Sequence, residues 1–320
     1  MEKLEAFEIL EPGILTTVQD LGRYGFSQYG VPSSGALDTF SFRVANLLVG
    51  DEEKACLETM VMGLKLRARG DVLIAITGGD LFPTLNGEPF DMWRTHLLVE
   101  GDVIAFKSVR KGCRAYLALS GGFVVPKIMG SSSTYLSGKF GGVEGRALRR
   151  GDILYTLDRP SSLNKIGLRF PNDLIPPFEK EVLVRVIPGP QDHHFTEKGF
   201  QTFCASSYQV TPQCDRMGVR LEGPKIERRF DVEESIISEG LISGAIQVPG
   251  DGKPIIILNE LVTGGYTKIA TVISTDLTRV AQLKPGDRVH FEPISIEEAH
   301  QLLREQEERL KNFKEFLQTR

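Results

Sequence analysis

The chain has 320 residues, 41% of them apolar and 25% charged, with a net charge of -4. That length supports two domains with cores of their own and needs no staple. The mild acidity excludes nucleic acid as the main partner, since phosphate binding shows as a basic face, and no apolar run approaches the ~18 residues of a membrane span.

From the N-terminus, MEKLEAFE is charged and lacks the basic-then-apolar pattern of a leader. The first polar blocks follow, TTVQDLGRYG at 16–25 and VPSSGALD at 31–38. A helix is predicted over Asp38 to Val49, with Phe40, Val44, Leu47 and Leu48 on one face, Asp38 as cap and Gly50 as stop. Strands are predicted at Val72 to Thr77, Asp102 to Phe106 and Ala115 to Leu119, with a hairpin turn at Asn86-Gly87. The longest polar block, STYLSGKFGGVEGRALRRGD, runs from 133 to 152.

Between Asp158 and Glu181 the chain carries Pro160, Pro171, Pro176 and Pro177 with little alternation, the composition of a connector. The expected organisation is an N-terminal β-barrel subdomain with one helix over 1–160, a connector over 161–180, a second β-barrel over 181–293 and a C-terminal helix over 294–320. In the second half, strands are predicted at Val182 to Ile187, Ala245 to Val248 and Pro254 to Leu258. Three more polar blocks interrupt them: PGPQDHHF at 188–195, VTPQCDRMGVRLEGP at 210–224 and TGGYTKIAT at 263–271. The closing helix has an apolar stripe through residues 296–318 and a capping box of Ser295 and Glu298. The stretches at 100–106, 150–156 and 285–291 each place Gly-Asp before an apolar strand, which reads as a repeated barrel corner or as turn chemistry alone.

Known single-motif chemistries are missing. SGKF at 137–140 lacks the P-loop spacing, no G-x-S-x-G elbow occurs, and the Gly-Gly pairs form no G-x-G-x-x-G. Adjacent His193 and His194 point to opposite faces if they lie on a strand, and neither has zinc-ligand spacing, so no metal ligands are assigned. Cys56, Cys113, Cys204 and Cys214 show no C-x-x-C spacing and read as free thiols of a reducing cytoplasm. No lysine has Met-Lys-Met surroundings, so no biotin is attached to this chain.

Each polar block alone reads more readily as turns and surface ion pairs than as a ligand cradle. Together they supply guanidinium groups suited to carboxylate or phosphate, at Arg23, Arg146, Arg216 and Arg220, and bare amides at Ser34-Gly35, Gly141-Gly142 and Gly264-Gly265. The residues point to a site for a small anionic substrate.

These blocks, with VRVIPGPQDHHF and GAIQVPGDGKPIIIL between them, resemble the KipA family, the second allophanate-hydrolase-type domain, which includes the C subunit of 5-oxoprolinase. The resemblance covers about residues 6 to 292. It implies a mainly β fold of two cyclophilin-like barrels. It also implies work beside a KipI-like subunit and a LamB/YcsF-like subunit, in ATP-dependent opening of 5-oxoproline to glutamate. ATP with magnesium is the implied cofactor. A lactam is a poor electrophile, and phosphorylating its oxygen creates a leaving group, a step that needs positioning and charge neutralisation. Under the resemblance Asp20, Arg23, Asp215, Arg216 and Arg220 form the catalytic set. Gln19, Ser34, Gly35, Asp38, Gly141, Gly142, Arg146, Gln191, Asp192, Gln247, Thr263, Gly264, Gly265 and Tyr266 form the substrate- or nucleotide-binding set. Two other roles occur among such proteins: the carboxyltransferase half of a urea-carboxylase-like enzyme, and a regulatory antagonist of a KipI-like kinase inhibitor. The chain departs from the family pattern at Ser132, where relatives carry Arg, at Cys214, where they carry Ser, and at Asn259 to Val262, which replace D-x-Q-T.

Overall fold

The computed structural model describes residues 3–157 and 165–319. The expected connector lies partly outside them, since residues 161–164 are among those not described. The structure is mainly β, with three sheets and four α-helices among the described residues. No helix among them is long and apolar enough to cross a membrane. The chain divides into two compact units, one of Met1–Arg23, Ser34–Pro177 and Arg309–Arg320, the other of Tyr24–Ser33 and Phe178–Glu308.

In the first unit a six-stranded sheet orders its strands 153–156, 4–12, 64–68, 103–106, 83–85 and 88–89. A five-stranded sheet orders 15–19, 56–60, 114–119, 72–78 and 95–98. Alternating side chains of both, including Phe7, Ile9, Leu57, Leu66, Ile74, Ile76, Ile104 and Leu117, meet in one fully buried cluster. The strand Val72–Gly78 has every residue buried because the helix Thr39–Val49 covers its other face. That helix starts where Asp38 accepts from Ser41 N at 2.9 Å and ends at Gly50, whose φ of 84° is the left-handed stop. Asn86 and Gly87 turn the hairpin with φ of 50° and 96°, the two positive values of a type I′ turn.

The second unit is an eight-stranded sheet ordered 181–188, 288–293, 208–214, 218–222, 255–257, 245–248, 263–272 and 235–240. Glu181–Pro188 also pairs with Thr263–Val272, so seven strands close on themselves and only Ser235–Gly240 remains outside the ring. Val184, Val186, Val210, Ile246, Ile256 and Val289 fill the interior, with Phe203 stacked on Phe291 at 4.4 Å. Phe203 comes from a helix, Glu197–Ala205, capped by Thr196, that the strand-and-turn reading leaves out. The C-terminal helix Ile296–Gln318 begins at the expected capping box, Glu298 N donating to Ser295 Oγ at 3.1 Å and Ser295 N to Glu298 Oε2 at 2.9 Å. The part of this helix from Arg309 belongs to the first unit, within which Phe313 packs on Phe170 at 4.8 Å.

The Gly-Asp turns repeat in atomic detail. Gly101, Gly151 and Gly286 have φ of 93°, 88° and 92°. The Asp102, Asp152 and Asp287 carboxylates accept from the backbone N–H three residues earlier, at Val99, Arg149 and Lys284. The glycine N–H donates to Ala68, Ile9 and Val210 respectively, and each of these donates back to the aspartate carbonyl. Each corner thereby locks a strand to an antiparallel neighbour.

Candidate functional site

In the first unit, two polar blocks far apart in sequence are joined by one carboxylate. Asp20 follows the strand Leu15–Gln19 and is 8% exposed. Its Oδ1 accepts from Ser131 Oγ at 2.6 Å, Ser133 Oγ at 2.5 Å and Gly22 N at 2.8 Å, and its Oδ2 accepts from Ser132 N at 2.5 Å. Arg23, 2% exposed, donates to the Ser133 carbonyl and lies 4.9 Å over the Phe140 ring. Gly141, with φ of 77°, is required there because a Cβ would strike Ser133 O. Gly142 likewise faces Thr134 Oγ1. Gln19 is fully buried and its amide donates to Thr17 Oγ1 at 2.9 Å and to Thr134 O at 3.2 Å. Its Oε1 has no hydrogen-bond partner among the described residues.

The 31–38 block is fixed to the same place. Ala36 N donates to Asp20 O at 2.8 Å, Ser34 is fully buried, and a Cβ on Gly35 would lie 2.8 Å from Gly22 N. Asp38 serves as helix cap, and its backbone N–H donates to the Tyr116 hydroxyl at 2.9 Å. That hydroxyl donates to Glu58 Oε2 at 2.7 Å, which also accepts from Leu37 N at 3.1 Å. Arg114 lies 3.9 Å from Glu58 Oε1. Burial, with the Glu58 and Asp38 charges, pushes the Tyr116 phenol well above its ordinary value. Glu58, Tyr116 and Arg114 are absent from the sequence-derived set because each sits in an ordinary strand and only the pairing brings them together. Arg146 is held bidentately by Asp152 at 2.8 and 3.0 Å and by Glu144 at 3.0 Å. Burial raises the Asp152 carboxyl, but the Arg146 and Arg149 hydrogen bonds together with the two guanidinium charges outweigh it and the net shift is downward.

In the second unit three blocks converge on Lys268, another residue missing from the sequence-derived set. Lys268 is 5% exposed and its ammonium pairs with Glu239. Gln191 brackets it, Oε1 accepting from Lys268 N at 3.1 Å and Nε2 donating to Glu239 Oε1 at 2.8 Å. Gly189 is small because a Cβ would strike the Lys268 carbonyl. Gln247 lies directly opposite Lys268 on the neighbouring strand and donates to Tyr266 O at 3.4 Å. A Cβ on Gly264 would come within 2.5 Å of its amide. Thr263 and Tyr266 are exposed, and Gly265 lies on the same strand, Thr263–Val272.

Arg216 is buried against Glu260, Nε to Oε1 at 2.5 Å. Glu260 falls in the segment that departs from the family pattern. Asp215 is exposed and accepts from Met217 N at 2.7 Å and Gly218 N at 3.1 Å, closing a turn, while Arg220 is exposed on the next strand. Asp192, His193 and His194 form a short 3-10 turn with the two rings 4.6 Å apart, so the opposite-facing arrangement of a strand does not occur. Among the described residues no group of three or more His, Cys, Asp or Glu could hold a metal ion. Asp20 has both oxygens committed to protein donors and Asp38 is occupied as a cap. Neither aspartate therefore offers an open oxygen to a magnesium ion.

Asp20, Arg23, Asp38, Arg146 and Asp215 make the contacts that hold their loops, and Gly141 lets its loop close. Arg220 and Tyr266 are exposed, while Lys268, Gln191 and Gln247 form a cluster in the second unit. Comparison with known proteins identifies the family. The carboxyltransferase domain, subdomain A and B, matches residues 29–293. The C subunit of 5-oxoprolinase from Escherichia coli (strain K12) is 37% identical over 300 residues, 91% of this chain and 92% of its own length. The urea amidolyase of Lachancea kluyveri is 37% identical over 94% of this chain, but over 18% of its own length. The crystal structure of the K. lactis urea amidolyase superposes with a TM-score of 0.90 at 34% identity, covering 98% of this chain and 20% of that one. The chain thus spans about a fifth of the fungal proteins' length. On the match to residues 29–293 and the near-full-length identity to the bacterial protein, the chain belongs to the carboxyltransferase domain family and is a homologue of the 5-oxoprolinase C subunit.

Proposed function

We propose that this protein is a cytoplasmic subunit of an ATP-dependent 5-oxoprolinase, converting 5-oxoproline, ATP and water to L-glutamate, ADP and phosphate beside KipI-like and LamB/YcsF-like subunits. The observation that carries this reading is the 92% coverage of a relative named for that activity. The urea amidolyase is matched at the same 37% identity, over 18% of its length. The site chemistry supports it. Ring opening requires a carboxylate substrate to be held and oriented, and Lys268, Gln191, Gln247 and Arg220 are donors of the right kind.

The test is glutamate release from 5-oxoproline and ATP by the chain purified with its KipI-like and LamB/YcsF-like neighbours, each omitted in turn. Activity that disappears when this chain is left out is the expected result. An intact, folded complex without turnover overturns the reading. A second reading, half of a biotin-dependent carboxyltransferase, is favoured by the 0.90 TM-score to the urea amidolyase structure. Carboxyl transfer from carboxybiotin by the same preparation tests it.

A further inference from the structure

The geometry points to a carboxylate-binding site at Lys268 and Gln191 that the chain fills with its own Glu239, and from which a small carboxylate-bearing ligand displaces that side chain. Lys268 is 5% exposed, and an ammonium so buried requires a counter-charge. Its counter-charge does not come from the core. Glu239, 44% exposed, projects from Ser235–Gly240, the strand outside the closed ring, which pairs on one side only and slips register between Ser235 and Glu239. The donors, in contrast, are rigid. Lys268 lies within the ring strand Thr263–Val272, and Gln191 is fastened to it by Lys268 N to Oε1 at 3.1 Å and Gln191 N to Lys268 O at 3.3 Å. Lys268 Nζ and Gln191 Nε2 converge on one oxygen, Glu239 Oε1, the arrangement that a ligand carboxylate oxygen would take over.

A further polar group faces the same place. Gln247 lies opposite Lys268, so the two side chains share a face of the sheet. Its amide makes a 3.4 Å contact to Tyr266 O, a long bond readily exchanged for a ligand carbonyl. Lys268 thus supplies charge, Gln191 fixes one carboxylate oxygen, and Gln247 reads a neighbouring carbonyl. The ligand class is a small molecule bearing a free carboxylate beside an amide or carbonyl.

The choice of 5-oxoproline as probe rests on the 5-oxoprolinase reading, whereas the binding measured does not. Calorimetry of the full chain with 5-oxoproline and with its methyl ester is compared for the wild type, Glu239→Ala, Lys268→Met and Lys268→Arg. Removing the internal competitor in Glu239→Ala is expected to tighten acid binding by about tenfold or more, the scale of one charge-assisted hydrogen bond. Lys268→Met abolishes it, Lys268→Arg retains part, and the ester does not bind. A gain in Glu239→Ala cannot arise from unfolding, which protects the test against a damaged Lys268→Met. Equal affinity in wild type, Glu239→Ala and Lys268→Met, equal binding of acid and ester, or no binding to Glu239→Ala overturns the site. Glutamate release by the reconstituted complex is scored separately. Turnover without Lys268-dependent binding rejects the site alone, and Lys268-dependent binding without turnover rejects the enzyme reading alone.

Discussion

Asp20 offers the most quantitative prediction. Replacing it with alanine strips the acceptor from two backbone N–H groups, Gly22 and Ser132, and from two hydroxyls, Ser131 and Ser133, at a position 8% exposed. The hydroxyls can rotate toward other acceptors, but the amides cannot. Each unsatisfied buried donor costs about 1–3 kcal/mol, so Asp20→Ala is expected to destabilise the first unit by about 3–5 kcal/mol. At about 2–4 °C per kcal/mol for a unit of this size, the melting transition falls by roughly 10 °C. Asp20→Asn keeps the shape and loses half the acceptors, so it falls between alanine and wild type. Urea denaturation at pH 7 of Asp20→Ala, the double variant Ser131→Ala/Ser133→Ala and the triple variant completes a cycle. Strong non-additivity is expected because the groups share one carboxylate. A loss below about 1 kcal/mol for Asp20→Ala, or simple additivity, refutes the assignment of Asp20 as the tie between the two blocks.

Gly141→Ala is expected to destabilise severely, since the added Cβ strikes Ser133 O at a φ of 77°, whereas Gly130→Ala, with φ of 80° and open space around it, costs only about 1–2 kcal/mol; denaturation midpoints compare them directly. Burial raises the phenol of Tyr116 above 10.0 and the thiol of Cys56 above 9.0, so the unfolded chain loses these protons first. Their stabilisation is complete below about pH 9 and is lost as pH rises beyond it, and Tyr116→Phe, at a cost of about 1–3 kcal/mol near neutrality, flattens the decline above pH 10 in a pH series of urea midpoints. Arg216→Met leaves the Glu260 carboxylate buried at 5% exposure and is expected to cost about 3–5 kcal/mol, while Arg216→Met/Glu260→Leu recovers much of it; equal losses for both in thermal denaturation would contradict a buried pair.

Elements governed by neighbours in sequence were legible without the fold. Asp38 and Gly50 mark the helix ends, Ser295 and Glu298 mark the last helix, and Asn86-Gly87 marks the hairpin, because each of these signals is completed within a few residues. The helix Glu197–Ala205 was readable by the same logic from Thr196 and the Phe200 and Phe203 spacing. What was not legible depends on contacts between remote strands. Glu58 and Tyr116 sit in CLETM and RAYLAL, which look like any half-buried strand until antiparallel pairing sets them opposite each other. Lys268 hid inside TGGYTKIAT, where glycines drew attention first, and its burial follows from ring closure alone. The arginines show the converse. Their chemistry suits an anion, but Arg23 and Arg146 are spent on Ser133 O and Asp152, and only the folded chain reveals the acceptor already in place.

The ring of the second unit closes through its first and last strands, Glu181–Pro188 lying parallel to Arg288–Pro293 from Glu181 opposite Arg288 to Val186 opposite Pro293. During synthesis, the staves emitted early have nothing to seal them until residue 293 leaves the ribosome. Until then Glu181–Pro188 and Tyr208–Cys214 each expose a raw β edge that invites a foreign strand. Assembly is therefore dominated by a sequence separation of about a hundred residues, which slows folding and makes it complete only after the entire unit has been made. A released fragment ending before Arg288 should bind chaperones, whereas one ending just past Pro293 should not.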